Sequence, residues 1–294
     1  MTLRIGAHPN NLSLTLFAAR QGSGDNGDID VFSYGSGTQT IPLLRVGAIH
    51  LGGTGSTPPL HAQAAGMDVA VVATTAPRGD HGGIAVRADG PIRTLADLAG
   101  RGIATMPLSW HPQYLARVLT GAGLRWDSVT VVELATPTAH DALVAGRLDA
   151  WVATGPDLER LQSACDVRIL APVTDHFANR SVLWTRHGVL AERAESLADT
   201  LARIDASDRR AADDPAEAAR VLAEHGPGHD TATWERLVRS RRWGLLPPDH
   251  EFVDEQQRDA DLLSANGVLH RPVDVGASLP TRPLLPDVAP TATV

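Results

Sequence analysis

Val46-Gly47-Ala48-Ile49-His50-Leu51-Gly52-Gly53-Thr54-Gly55-Ser56-Thr57-Pro58-Pro59 joins a short apolar run to a string of small, hydrogen-bonding residues, and a helical pattern resumes at Leu60. The spacing predicts a strand feeding a loop that offers backbone N–H groups and hydroxyls to a small anion. The same order recurs along the chain. Leu3–Ala7 leads into His8-Pro9-Asn10-Asn11, and Ile29–Phe32 into Ser33-Tyr34-Gly35-Ser36-Gly37-Thr38. Gly102–Thr105 precedes Pro107-Leu108-Ser109-Trp110-His111, and Asp149–Val152 precedes Ala153-Thr154-Gly155-Pro156. In an open parallel sheet such loops gather at the carboxyl ends of the strands, where ligands bind.

A length of 294 residues exceeds a usual single domain and predicts two lobes. Asp68–Thr75 reads as a fully buried strand, and Gly82–Val86 as one leaving the first lobe. Thr94 is placed to cap the helical pattern that Gly100 stops. Ser181–Thr185 reads as a return strand, followed by helical pattern to about Asn266. The expected organisation is residues 1–82 plus 183–274 for the first lobe, 83–182 for the second, and a Pro-rich tail over 275–294. Two crossings between α/β lobes predict a hinged pair with an interdomain cleft.

With 26 basic against 34 acidic residues, the net charge of −8 argues against nucleic acid as a partner. Every basic residue is Arg, which excludes chemistry through a lysine Schiff base. Cys165 is the lone cysteine, so no intrachain disulfide forms. No apolar run reaches the roughly eighteen residues of a membrane span. The chain as written starts without a secretory pattern, which assigns it to the cytoplasm; written without its leader, it would be periplasmic or extracellular. His225 and His229 flank a Gly-Pro-Gly turn with no evident carboxylates, so no metal is expected.

Three landmarks in order carry a resemblance: Ile49–Pro59, Pro91-Ile92-Arg93-Thr94-Leu95-Ala96-Asp97-Leu98-Ala99-Gly100-Arg101-Gly102-Ile103-Ala104, and Gly146-Arg147-Leu148-Asp149-Ala150-Trp151. The chain resembles the periplasmic substrate-binding proteins for nitrate, sulfonate and taurine, related to the thiamine-pyrimidine proteins and to sulfinate desulfinases. The resemblance spans roughly residues 3–270. It implies a two-lobed type II periplasmic-binding-protein-like α/β fold that holds a small organic anion, sulfonate- or carboxylate-like, in the cleft. It implies no cofactor, and an ABC permease as partner if the chain is exported. Carried over by position, the ligand-binding candidates are His8, Asn10, Asn11, Ser36, Gly37, Thr38, Thr54, Gly55, Ser56 and Thr57. From the second lobe come Ser109, Trp110, His111, Trp151 and Thr154.

The same resemblance admits an enzyme on this fold, a lyase, hydrolase or isomerase. The desulfinase pattern requires a nucleophilic Cys after strand one and an Arg before the paired glycines; these places hold His8 and Gly52. Pyrimidine synthesis requires a lysine and a cysteine-rich segment, which this chain lacks. An enzyme here would use His8 and His111 as general acid and base. Ser36, Thr54 and Ser109 have an ordinary structural alternative, that of a helix cap.

Overall fold

The computed structural model describes residues 2–21, 28–78, 82–226 and 230–286. The expectations placed on His229 and on the last eight tail residues lie outside these. The first run of elements is β1 (Leu3–Ala7), α1 (Leu12–Gln21), β2 (Ile29–Ser33), α2 (Thr40–Arg45), β3 (Gly52–Gly55), α3 (Thr57–Ala64) and β4 (Val69–Thr75). Next come β5 (Gly82–Arg87), β6 (Gly102–Thr105), α4 (His111–Gly121), β7 (Thr130–Glu133), α5 (Thr136–Val144), β8 (Ala150–Thr154), α6 (Gly155–Ala164) and β9 (Val167–Pro172). The chain ends with β10 (Ser181–Arg186), α7 (His187–Asp213), α8 (Pro215–His225), α9 (Thr231–Arg239), β11 (Leu245–Leu246) and α10 (His250–Ala265).

These elements divide into two units. One comprises Met1–Pro77, Arg180–Gln257 and Val273–Val294, the other Arg78–Asn179 and Arg258–Pro272. Residues 258–272, expected with the first lobe, group with the second unit, where Gln113 and Arg117 both donate to the buried Asp259 carboxylate. In the tail, Leu284 and Leu285 pack on the first unit's core beside Leu3 and Leu201.

In the first unit β1 and β2 are parallel, with Leu3 opposite Ile29. Ile5 bridges Leu51 in parallel fashion, and Gly6 N–H donates to the Leu51 carbonyl at 2.8 Å, which sets β1 beside the start of β3. The return strand β10 lies between β3 and β4, antiparallel to both, in the order β11-β4-β10-β3. Residues 69–74 of β4 are all buried, as a strand covered on both faces must be. Its Val72 joins Leu14, Phe17 and Leu201 on one face, while Val69 and Val71 join Leu44, Trp184 and Phe252 on the other. Each such side chain removed from water contributes about 1.5–3 kcal/mol.

The second unit's sheet runs β7-β6-β8-β5-β9, with β6 parallel to β7 and β8, and β5 antiparallel to β8 and β9. This second sheet is therefore mixed, whereas every pairing in the first unit's order β11-β4-β10-β3 is antiparallel. Alternation along β8 sends Ala150 and Val152 toward Ile84 and Leu115, and Trp151 and Ala153 toward Leu143 and Leu161.

The opening stretch is divided differently from its sequence reading. Val46–Ile49 is not a strand. Val46 N–H donates to Pro42, Gly47 N–H to Leu44 and Ala48 N–H to Leu43, so the run closes α2, and Val46 is 76% exposed. The strand is the glycine-rich Gly52–Gly55, and α3 opens at Thr57 rather than Leu60.

Candidate functional site

His8 follows directly on β1 and is 5% exposed. Its Nε2 lies 2.7 Å from the Gly53 carbonyl, which can only accept, so Nε2 carries the hydrogen. The other ring nitrogen, Nδ1, is buried and has no partner among the described residues. Burial holds the imidazole below its ordinary range, partly offset by the Gly53 bond, and leaves it neutral near pH 7. The Tyr34 ring stands 5.5 Å away, its hydroxyl 2.7 Å from Thr40 Oγ1, and burial pushes that phenol up to about 12.

Gly37 covers the His8 ring from the loop after β2. A methyl group there would meet His8 Cε1 at 2.9 Å, so the position excludes a side chain. Ser36 and Gln39 form a capping box around the short 3₁₀ turn Gly37–Gln39, and the Ser36 and Thr38 hydroxyls are 3.0 Å apart. These residues hold the loop in place through its own backbone.

Asn11 is 3% exposed and caps α1, its Oδ1 accepting from Leu14 N–H at 3.1 Å. Its Nδ2 has no partner among the described residues and lies against Gly53, where a Cβ would collide with it and with Leu183. Asn10 is exposed and Gly55 half-buried, while Ser56 and Thr57 are buried. Ser56 Oγ also lacks a partner among the described residues. Thr54 points the other way along β3: its hydroxyl accepts from the Trp184 indole at 3.0 Å and donates to the Gly55 carbonyl at 2.7 Å.

The loops after β1 and β2 border a hollow of about 710 Å³, lined by Ala7, His8, Pro9, Ala18, Val31 and Tyr34 among others. The volume falls within the usual range for small-molecule sites. Tyr34 and Gly53, which lie against the His8 ring, are not among the site candidates read from the sequence. Tyr34 was signalled by its place at a strand end; the role of the Gly53 carbonyl has no side-chain signal.

In the second unit, the turn after β6 satisfies most of its own groups. Ser109 Oγ donates to the Met106 carbonyl at 2.7 Å and accepts from His111 N–H at 3.2 Å. His111, 5% exposed, accepts from Met106 N–H at Nδ1, 3.2 Å away. Trp110 stacks on Phe177 with centroids 5.3 Å apart and planes at 15°. Trp151 is 2% exposed within the apolar layer of β8, and Thr154 precedes α6 without capping it. Thr105, not among the sequence candidates, ends β6 with a buried hydroxyl that has no partner among the described residues. His50 accepts from Arg4 N–H at Nδ1, 2.8 Å away, a bond that ties it to β1.

The structure thus gathers His8, Asn11, Gly37 and Gly53 into one cluster, continuous through β3 with Ser56. Ser109, Trp110 and His111 form a second cluster in the other unit.

The description of the NMT1/THI5-like family matches residues 25–218. An Escherichia coli (strain K12) relative named for aliphatic-sulfonate binding is 28% identical over 276 residues, 93% of this chain and 86% of its own. The crystal structure of the periplasmic aliphatic sulphonate binding protein SsuA from Escherichia coli matches 94% of this chain and 96% of that one, with 26% identity and a TM-score of 0.81. The alkanesulfonate-binding protein SsuA from Xanthomonas axonopodis pv. citri, bound to MOPS, matches 95% and 97% with 28% identity and a TM-score of 0.81. The fold is that of the periplasmic binding proteins. The chain belongs to the NMT1/THI5-like family.

Proposed function

We propose that this protein binds a small organic anion, sulfonate- or carboxylate-like, as the substrate-binding component of an ABC importer. The observation that carries the reading is the buried polar cluster at the β1 and β3 turns. Asn11 Nδ2, at the amino end of α1, and Ser56 Oγ, at the amino end of α3, are donors without protein partners among the described residues. A buried donor left unpaired costs about 1–3 kcal/mol, so an anion that pairs with it gains that amount in addition to its direct attraction. The helix dipole and free N–H groups at an α-helix start favour negative charge there. The adjoining hollow gives an organic substituent room against Ala7, Ala18 and Val31.

The names of the sulfonate-binding relatives support this ligand class. The periplasmic relative also supports a periplasmic place and a permease partner, in preference to the cytoplasmic, biosynthetic reading. On this reading the first unit's candidates are His8, Asn10, Asn11, Ser36, Gly37, Thr38, Gly55, Ser56 and Thr57, with Thr54 setting the strand behind them. The second unit's candidates are Ser109, Trp110, His111, Trp151 and Thr154, chiefly as a rigid frame within that unit. The enzyme alternative needs His8 and His111 free to exchange protons, and His111 already uses Nδ1 to hold Met106 N–H.

A thermal-shift screen of short alkanesulfonates and carboxylates, with mass spectrometry of each mixture, tests the proposal. Stabilisation with unchanged ligand is the expected result. Conversion of the ligand supports the enzyme, and stabilisation by none of them defeats the binding reading.

A further inference from the structure

The loops around His8 carry no fixed positive charge. Residues 8–11, 33–38 and 52–57 contain no arginine, and the chain contains no lysine. His8 is the one residue on them that can become a cation. Its Nε2 hydrogen is committed to the Gly53 carbonyl at 2.7 Å, which leaves Nδ1 as the place for a second proton. That atom has no partner among the described residues.

The groups around the ring are neutral. Tyr34 faces it with a phenol that stays protonated. Thr15 on α1 uses its hydroxyl on the His8 and Asn11 carbonyls at 3.2 and 3.0 Å. Gly37 and Gly53 present only backbone. His225, at the end of α8, lines the same hollow and lies 3.9 Å from Glu224. No carboxylate contributes to the state of His8, which is set by burial and the Gly53 bond.

We infer that anion binding at these loops is coupled to the uptake of one proton at His8 Nδ1. The inference rests on the anion-binding function proposed above. A neutral His8 offers an anion only dipoles; the imidazolium offers an opposite charge and an Nδ1–H donor, and charge-assisted hydrogen bonds are about twice as strong as neutral ones. Proton and anion then raise each other's affinity by the same factor. Such coupling makes His8 the residue that sets the site's preference for anions over neutral analogues, and makes capture strongest in acid surroundings.

The test is calorimetric titration of the intact protein with ethanesulfonate, which stays ionised throughout, from about pH 6 to about pH 8 in buffers of different ionisation heat. The expected result is uptake approaching one proton per anion, with affinity falling up to about tenfold per pH unit within that window. His8→Gln, which keeps a donor for Gly53, removes the uptake and the pH slope, whereas His225→Gln keeps both. NMR of the ring nitrogens in the unsubstituted protein reads the same proton without a substitution: His8 turns cationic on ethanesulfonate addition. Binding with no proton uptake, or uptake that survives His8→Gln and disappears in His225→Gln, overturns the inference. Absence of binding by ethanesulfonate and by every other sulfonate and carboxylate defeats instead the function on which it rests.

Discussion

The turns after β1 and β3 in the first unit and the turn after β6 in the second use similar residues to opposite ends. In the first, His8 Nδ1, Asn11 Nδ2 and Ser56 Oγ are buried without partners among the described residues. In the second, Ser109 and His111 bond to Met106 and to each other, Trp110 stacks on Phe177, and Thr105 keeps a hydroxyl that has no partner among the described residues. Buried polar atoms are satisfied as a rule, so a concentration of exceptions marks a place organised for a partner from outside. The satisfied turn is organised for stiffness. Substitutions in the first turns should therefore weaken binding more than folding, and those in the second the reverse.

The largest expected effect concerns the pH response of the first unit. Asp208 is fully buried, accepts from Ser13 on α1 at 2.9 Å, and burial pushes its carboxyl up to about 7. Folding thus favours its protonated form. Its contribution to stability is lost as pH rises from the unfolded carboxylate range near 4 to about 7, by about 1.4 kcal/mol per pH unit and up to about 4 kcal/mol. Asp208→Asn should remove that slope, as read by urea denaturation at pH values across the window; identical slopes in the two proteins would show that the carboxyl is ionised in the fold.

Trp110→Ala in the second unit comes next, with an expected loss of about 2 kcal/mol from the half-buried ring and its stack on Phe177. If chemical denaturation shows less than about 1 kcal/mol, the stiff-frame description of that turn fails. Asn11→Ala should cost only about 1 kcal/mol as a lost helix cap, yet weaken alkanesulfonate binding by tenfold or more, since it removes the cap and a donor together. Equal losses in folding and binding would erase the contrast between the turns. The smallest effect is expected at Leu108, whose φ of 47° lies in the left-handed region and which is 37% exposed. Leu108→Gly relieves that strain and should leave stability unchanged or raise it by about 1 kcal/mol in thermal unfolding.

How far the sequence can be read depends on where side chains carry the signal. β1, β4 and β10 were legible because their apolar runs serve buried strands. β7, exposed at both ends and half-buried between, β9, mostly half-buried, and the two-residue β11 gave no such run. β3 was misplaced by several residues for the same reason: Gly52–Gly55 forms a strand almost without side chains, held by β10, while the apolar residues before it end a helix. In the site, His8, Asn11 and Ser56 could be picked out as polar residues at strand ends. Thr54 belongs to the same motif, but the two-residue period of β3 turns it toward Trp184. Trp151 is likewise turned into the apolar layer around Leu143 and Leu161. A linear motif does not show which face of a strand each member takes until the register is known.

The most direct test of the central claim is an amide NMR titration of the intact protein with ethanesulfonate. The account predicts that the largest shifts fall on Asn11–Leu14 and Gly53–Thr57, with saturation at one anion per chain. Saturable binding that leaves both segments unmoved would contradict it.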